Sequence, residues 1–387
     1  MRVTLVISSF GAGGAERVMA VMANHWAEHG REVTLITLAS AREDFYPLHP
    51  CIDRIGLEAT GGSSNVIAAA WNNLQRLKRL RQEIRASRPD FVLSFIDTTN
   101  VLTLAATLGL RVPVIVSEHT DPRQHTIGFI WKGLRQLLYR RATAIVVLTE
   151  GIRSWAEQFG HRHRVHVIPN PVSVPAEECS DSQDRIHPGG TIAAIGRLTP
   201  LKGFDFLLKA FARCARRHSE WSLVILGEGE ERGRLEALTI QLGIKDRVKM
   251  PGLTPNPFKL LRGADLFILS SHYEGFPMAL LEAMACGLAV IAADCPSGPR
   301  EIIRDGIDGV LVRPGNVDSL AAAMDRLMAD RSVRQGLGKR AIEVVERFST
   351  EKVMKMWDEL FSNISSGSTM ANSFMQYVED RQTERRL

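Results

Sequence analysis

Short runs of β-branched and aliphatic residues alternate with longer amphipathic segments along nearly the whole chain. This alternation is typical of parallel β-sheets that carry helices on both faces. In the first half, the runs that predict strands are RVTLVI, EVTLIT, FVLSF, PVIVS, AIVVL and VHVIP. In the second half they are GTIAAIGR, SLVILG, RVKM, DLFILS, LAVIAA and GVLVRP. The sequence therefore predicts an α/β fold with two doubly wound, Rossmann-like units.

One segment interrupts this alternation. Residues 173–190 combine acidic residues, Ser, Pro and a Gly pair without periodicity, which is typical of a linker. A chain of 387 residues is also long enough for two hydrophobic cores. We therefore predict an N-terminal domain over 1–172 and a C-terminal domain over 191–345. Helices over 346–361 complete the fold and could cross back to the first domain, and 362–387 reads as a polar tail without predicted structure.

The composition is that of an ordinary globular protein, with 45% hydrophobic and 24% charged residues. No apolar run reaches the roughly 18 residues that a membrane-spanning helix requires. The five cysteines are odd in number and lack C-x-x-C spacing, which favours a reducing compartment. We expect a cytoplasmic protein that could be peripheral on the inner face of the plasma membrane.

The net charge of +5 arises in the N-terminal half, and part of it lies in the predicted helix from Trp71 to Arg88. This segment contains six basic residues, one acidic residue and apolar residues at helical spacing. Such a helix could lie on an anionic membrane, or it could pack its apolar stripe on its own sheet. The sequence leaves both readings open. Nucleic acid is not an expected partner, because no zinc spacing or helix-turn-helix pattern accompanies the charge.

The motif GAGGAE joins the first predicted strand to the first helix. Its glycines, Gly13 and Gly14, allow backbone N–H groups to approach an anion at the helix N-terminus. It is not a dinucleotide fingerprint, because the third glycine position is Glu16 and no acidic residue ends the second strand. A dehydrogenase is therefore disfavoured, whereas a bound phosphate or sugar and a tight packing turn remain equally open.

The motif GRLTPLKG follows the first strand of the second domain and carries Arg197 and Lys202. Two cations on one strand-end loop that leads into a helix suit a diphosphate, whose negative charge grows as it departs. A pair of solvated surface charges is the alternative.

The stretch SHYEGFPMALLEAMACG carries two acidic residues, Glu274 and Glu282. Pro277 suits the first turn of a helix, so Glu274 lies in the preceding loop and Glu282 in the second turn. Both carboxylates can then accept hydrogen bonds from sugar or ribose hydroxyls, while free backbone N–H groups from Met278 onward point at the ligand. Carboxylates placed only to favour the helix dipole are the alternative.

The motif VSEHTDP ends a strand of the first domain, so His119 is expected to reach a cleft between the domains. Glu118, Asp121 and Arg123 could orient this histidine or contact an acceptor. Gly227, Pro251 and Gly252 follow two strands of the second domain and could line a base pocket.

Arg197, Lys202 and the EGFPMALLEAMACG motif resemble the second domain of glycosyltransferase family 4, whose GT-B fold has two facing Rossmann-like domains. The GGAE loop and SEHTDP resemble first-domain elements of members that build lipid-linked, capsular or exopolysaccharide glycans. The resemblance implies a retaining glycosyltransferase that moves a hexose or N-acetylhexosamine from a nucleotide-diphosphate sugar, with UDP as the expected nucleotide. It also implies a glycan acceptor, expected to be linked to a polyprenyl diphosphate, and no metal or other cofactor.

The resemblance also implies roles for single residues. Arg197 and Lys202 would hold the diphosphate, Glu274 the hydroxyls of the transferred sugar, and Glu282 the ribose. His119 would contact the transferred sugar. The expected donor-binding residues are Gly13, Gly14, Arg197, Lys202, Gly275, Phe276, Pro277, Met278 and Glu282, and the expected catalytic residues are His119, Arg197, Lys202 and Glu274. A nucleotide-sugar epimerase of the same fold and a non-catalytic sugar-nucleotide binder remain as alternatives.

Overall fold

The computed structural model describes residues 1–58, 66–125, 127–160, 164–172 and 189–384, with side chains described outside 66–70 and 368–384. Its core consists of two entirely parallel sheets, one of seven strands and one of six. The predicted α/β class with two doubly wound units is confirmed. Most of the predicted linker, 173–188, lies outside the described residues.

The first sheet has the strand order β3-β2-β1-β4-β5-β6-β7. Its strands are β1 (Arg2–Ile7), β2 (Glu32–Thr37), β3 (Asp53–Gly56), β4 (Phe91–Phe95), β5 (Val114–Glu118), β6 (Ala144–Val147) and β7 (Val165–Val167). The helices of this unit are α1 (Gly14–Glu28), α2 (Val66–Ala86), α3 (Asp97–Ala106), α4 (Phe129–Leu138) and α5 (Glu150–Glu157). The central strands are buried on both faces, which explains why most of their residues are apolar.

The second sheet has the strand order β10-β9-β8-β11-β12-β13. Its strands are β8 (Thr191–Ile195), β9 (Ser222–Leu226), β10 (Val248–Gly252), β11 (Leu266–Leu269), β12 (Ala289–Ala293) and β13 (Val310–Val312). The helices are α6 (Phe204–Ala215), α7 (Arg232–Gln241), α8 (Phe258–Gly263), α9 (Met278–Ala285), α10 (Pro299–Ile302), α11 (Val317–Ala329), α12 (Arg331–Ala341), α13 (Glu343–Phe348) and α14 (Thr350–Glu384).

Helix α14 follows the second sheet in sequence but packs on the first. Phe361 stacks on Phe91 at 4.6 Å between ring centroids, and Trp357 meets Trp26 of α1 edge-on at 6.4 Å. The helix continues to Glu384, so the prediction of a structureless tail from 362 onward is wrong. Residues 362–384 contain no proline and several good helix formers, so nothing in them stops a helix that packing has already started.

The loops at the carboxyl ends of the two sheets face each other. A Cβ on Gly275, which lies between β11 and α9, would come 2.4 Å from the carbonyl oxygen of His119 after β5. Gly14 of the first domain also faces α9, since a Cβ on Gly14 would lie 4.0 Å from Met278 Cγ. Ligands of parallel sheets bind beyond the carboxyl ends of the strands, so this cleft is where a site is expected.

Candidate active site

The loop after β8 holds Lys202 beside a carboxylate. Lys202 Nζ lies 2.6 Å from Glu274 Oε1, and Ser271 Oγ donates to the same oxygen over 2.6 Å. Gly203 has a φ of +61°, and a Cβ there would come 2.3 Å from the Ser270 carbonyl oxygen, so only glycine lets the loop pass. A cation and a carboxylate thus meet at the carboxyl ends of β8 and β11.

The glycine loop of the first domain already accommodates a carboxylate from its own chain. Glu16 is buried in the first turn of α1, where Ser9 Oγ donates to it over 3.2 Å. A Cβ on Gly13 would lie 2.0 Å from Glu16 Oε2, so glycine leaves the room for this side chain. Burial raises the pKa of Glu16, and the positive charge of Arg197 opposes that rise. Arg197 itself is exposed at the end of β8, within electrostatic range of the first domain.

The residues predicted for a base pocket lie at neighbouring strand ends. Gly227 N donates to the Gly252 carbonyl oxygen over 2.9 Å, which joins the ends of β9 and β10. A Cβ on Gly227 would come 1.9 Å from the Gly196 carbonyl oxygen, so the end of β8 passes equally close. Pro251 is exposed beside Gly252. The structure therefore brings these residues together next to the loop that carries Arg197 and Lys202.

Glu282 of α9 is paired with a residue that the sequence did not single out. Arg17 Nε of α1 lies 2.6 Å from Glu282 Oε1, and only 4% of the Glu282 side chain is exposed. The Arg17 guanidinium also stacks over the rings of Tyr46 and Phe258, at 5.9 and 5.3 Å from their centroids. Burial raises the pKa of Glu282 to about 7 although Arg17 lowers it. Near neutral pH, both the protonated and the ionised form of Glu282 are therefore populated.

His119 lies on the opposite wall of the cleft. Its ring stacks on Phe95 at 3.9 Å between centroids, and Nε2 lies 3.1 Å from Ser117 Oγ. Burial lowers the pKa of His119 to about 3, so the imidazole is neutral at physiological pH. Nδ1 has no hydrogen-bond partner among the described residues. A neutral ring with one free nitrogen suits a hydrogen bond to a ligand hydroxyl.

The three charged residues near His119, which are Glu118, Asp121 and Arg123, differ in how far they are exposed. Glu118 is fully buried beneath the site, where it accepts a hydrogen bond from Tyr139, and burial raises its pKa to about 8. Asp121 is buried and forms an ion pair with Arg123 over 2.8 Å. Of the three, Arg123 alone is exposed, with 41% of its side chain accessible. Arg123 is thus the member of this group that a second substrate could reach.

The segment Gly275 to Met278 contributes mainly backbone groups to the candidate active site. Phe276 is buried against Phe348 at 5.2 Å between ring centroids, and its carbonyl oxygen accepts a hydrogen bond from Asn170 Nδ2 over 3.0 Å. Pro277 is the N-cap of α9, so the helix begins one residue later than the motif predicted. Asn170, which follows β7, therefore bridges the two domains.

The sequence missed Arg17, Asn170 and Ser271 as members of this site. Arg17 directly follows the GGAE loop, so its place in the first turn of a strand-end helix was the available signal. Its partner could not be read from the sequence, because the pairing depends on how the domains meet. In the described part of the chain, no group of three or more His, Cys, Asp and Glu residues is arranged to hold a metal ion. None of the helices searched there is long and apolar enough to cross a membrane.

Two family models match the chain, one in each half. Residues 12–174 match the model described as Glycosyltransferase Family 4, and residues 178–344 match the model described as Glycosyl transferases group 1. The matched ranges contain the GGAE loop, His119, Arg197, Lys202 and both motif carboxylates.

Two curated relatives show how far the likeness extends. An alpha-1,4-N-acetyl-D-galactosaminyltransferase of Campylobacter jejuni, named for an undecaprenol-linked glycan substrate, is 29% identical over 95% of this chain and 99% of its own length. An exopolysaccharide phosphotransferase of Streptomyces coelicolor is 36% identical over 71% of this chain. This match spans only 29% of the Streptomyces protein.

Solved structures share the fold. The Anabaena protein HepE, in its complex with UDP-glucose, superimposes with a TM-score of 0.77 over 94% of this chain and 100% of its own, at 19% sequence identity. At that identity the likeness concerns the two-domain architecture.

Proposed function

Since the chain is a family 4 glycosyltransferase with the GT-B fold, which places it in polysaccharide or lipid-linked glycan biosynthesis, we propose that it moves a hexose or N-acetylhexosamine from a UDP-sugar to a lipid-linked glycan. The name of the Campylobacter relative supports this acceptor class and an amino sugar as donor group. The UDP-glucose bound to HepE supports the nucleotide.

The observation that carries the proposal is the ion pair between Lys202 and Glu274 at the ends of the neighbouring strands β8 and β11. In the free protein each group neutralises the other. When a donor binds, its diphosphate takes the place of Glu274 as the partner of Lys202, and Glu274 becomes free to accept hydrogen bonds from the sugar. Arg197 lies at the same strand end and adds a second cation. Charge that develops on the departing diphosphate is then met by fixed positive groups.

We further propose that transfer occurs with retention and without a metal ion. When Lys202 turns to the diphosphate, Glu274 Oε1 keeps its hydrogen bond from Ser271 Oγ, and Glu282 is buried in a pair with Arg17. We therefore propose that neither carboxylate acts as a nucleophile. A front-face route, in which the leaving diphosphate accepts the proton of the acceptor hydroxyl, needs no enzyme nucleophile. Lys202 and Arg197 supply the positive charge that a divalent ion supplies elsewhere.

His119 would bind the transferred sugar from the first domain. Its Nδ1 is unsatisfied among the described residues, and its ring is fixed by Phe95 and Ser117. Because the ring is neutral, it can donate or accept one hydrogen bond without adding charge to the site.

The test is a screen of the purified chain against UDP-sugars and other nucleotide sugars, with and without a polyprenyl-diphosphate-linked oligosaccharide. We expect released nucleoside diphosphate and an elongated glycan only when a UDP-sugar and the acceptor are both present. NMR of the product should show the anomeric configuration of the donor. An altered free sugar nucleotide without elongation would identify an epimerase instead, and binding without any product would identify a non-catalytic protein.

A further inference from the structure

Helix α4 carries an apolar face that no described part of the chain covers. Phe129 is 91% exposed, Ile130 71% and Leu137 66%, and Leu134 lies between them on the same side of the helix. The opposite side of α4 packs on the first domain through Arg135 and Leu138. Single exposed apolar residues need no explanation, but four on one face of a ten-residue helix form a contiguous patch.

The surroundings of this patch are cationic. Lys132 and Arg140 are exposed on or just after α4, as is Arg141. The sequence from 122 to 149 contains no acidic residue. Apolar side chains with exposed Lys and Arg on or next to the same helix, in a stretch of sequence without acidic residues, match the interface of an anionic bilayer, where acyl chains lie beneath negative headgroups.

Helix α2 carries exposed apolar residues on the same side of the domain. Trp71 and Leu74 in its first half are exposed, whereas Leu80 and Ile84 in its second half are buried in the first domain. The two readings of the Trp71 to Arg88 segment therefore apply to different turns of the same helix. Both α2 and α4 pack against α3, so their exposed residues belong to one side of the domain.

The patch also lies at the same edge as the cleft. A helix that follows a parallel strand runs back along the sheet, so its first turn lies at the carboxyl end of that strand. Phe129 and Ile130 open α4, which follows the loop carrying His119 and Arg123. The most exposed apolar residues are thus next to the first-domain wall of the candidate active site.

We propose that the docking face formed by Phe129, Ile130, Leu134, Leu137, Trp71 and Leu74 rests on an anionic phospholipid bilayer. The benefit of this position rests on the proposed function, because a lipid-linked acceptor could then reach the cleft with its lipid still in the bilayer. A second copy of the chain fits this face poorly, since a symmetric contact would oppose Lys132, Arg140 and Arg141 to the same residues of the partner.

The test measures flotation of the full-length protein with phosphatidylcholine vesicles that contain or lack phosphatidylglycerol. We expect binding to the anionic vesicles, and a partition coefficient lowered about tenfold or more in F129S/I130S, because two apolar side chains lose their burial. The variant K132Q/R140Q/R141Q should lose about fivefold per charge, and only with anionic vesicles. The matched control is I240S, an equally surface-exposed change on α7 of the second domain, 60% exposed, which should float like the wild type.

Flotation needs no substrate, so its result is independent of the transferase assay. Because Phe129 and Ile130 are exposed, the double variant should keep the circular dichroism and melting temperature of the wild type. Equal flotation of F129S/I130S and wild type, or no flotation of the wild type, would overturn the proposal. So would a dimer in sedimentation velocity that F129S/I130S dissociates while flotation stays unchanged, because the face would then join two copies.

Discussion

Arg17 Nε in the first domain lies 2.6 Å from Glu282 Oε1 in the second, so a largely buried ion pair joins the two walls of the candidate active site. The carboxylate proposed to bind the ribose is therefore held by an arginine from the facing domain. A donor that reaches Glu282 must share it with Arg17 or displace Arg17. If Glu282 binds the ribose as the family resemblance implies, donor binding and the contact between the domains are coupled through this one carboxylate.

Replacing Arg17 with Ala should destabilise the protein in a pH-dependent way. Glu282 would keep its burial but lose its cation, which costs roughly 3 kcal/mol of unfolding free energy when the carboxylate is charged. The pKa of Glu282 is already raised to about 7 and would rise further, so the folded state would favour the protonated form. The loss should therefore be larger at pH about 8 than at pH about 6.

Urea unfolding of R17A, E282Q and R17A/E282Q gives the coupling between the two side chains. The double variant should recover most of the stability lost in R17A, since a neutral amide needs no cation. If the losses of unfolding free energy in R17A and E282Q simply add in the double variant, the ion pair does not stabilise the protein.

Lys202→Ala should lower turnover by about a hundredfold to a thousandfold, the usual cost of removing one charge-stabilising contact at a leaving group. The control is Lys209→Ala, because Lys209 pairs with Asp205 one turn earlier in its own helix, α6, and has no proposed contact with the donor. Release of nucleoside diphosphate at saturating donor measures the effect. Near-normal turnover of a correctly folded K202A protein would remove Lys202 from the proposed mechanism.

The strands were the part of the fold that the sequence could predict. EVTLIT coincides with β2 and FVLSF with β4, because parallel strands covered by helices on both faces are rich in β-branched, aliphatic and aromatic residues. Strand β3 was missed, since DRIG is a short edge strand with two charged residues and no buried ones. The part of α14 after residue 361 was missed. It continues a helix that packs on the first domain, and that packing cannot be predicted from the local sequence.

The site was predictable to the extent that its residues follow strands. Lys202, Glu274 and His119 all lie at carboxyl ends of parallel strands, where the motifs placed them. The contacts of Arg17 and Asn170 were not predictable, because these two residues reach α9 and its preceding loop from the other domain. How two domains dock depends on their surfaces, which no local pattern encodes.

Glu118→Gln should change how stability depends on pH. Burial raises the pKa of Glu118 to about 8, against the charge of Arg135 and the hydrogen bond from Tyr139, which favour ionisation. Between its unfolded and folded pKa values the folded protein holds a proton that the unfolded chain releases, so the wild type loses up to about 1.4 kcal/mol per pH unit as the pH rises. A glutamine keeps the acceptor for Tyr139 and removes this loss.

Urea unfolding of E118Q and the wild type at several pH values measures how the stability of each protein depends on pH. We expect E118Q to gain stability relative to the wild type as the pH rises from about 5 to about 8, with no further gain above that window. A constant difference between the two proteins would show that Glu118 is already ionised in the folded state.

Treatment with EDTA should leave glycosyl transfer unchanged, because Lys202 and Arg197 are proposed to supply the positive charge at the diphosphate. The measurement compares initial rates before and after dialysis against the chelator, and again after addition of Mg²⁺ or Mn²⁺. Activity that falls on chelation and returns with either ion would contradict the metal-independent mechanism.

Gly275→Ala should lower kcat/KM by about a hundredfold, because the new methyl group would come 2.4 Å from the carbonyl oxygen of His119. Such contacts are normally at least 3.0 Å long, so the two walls of the cleft must move apart by at least about 0.6 Å (3.0 minus 2.4 Å). A displacement on the scale of about 1 Å costs aligned reactants roughly a hundredfold. Gly233→Ala on α7 is the matched control, since nothing lies within 4 Å of its added Cβ. If both alanine variants transfer sugar at the wild-type rate, the closed contact between Gly275 and His119 is not the arrangement in which the reaction occurs.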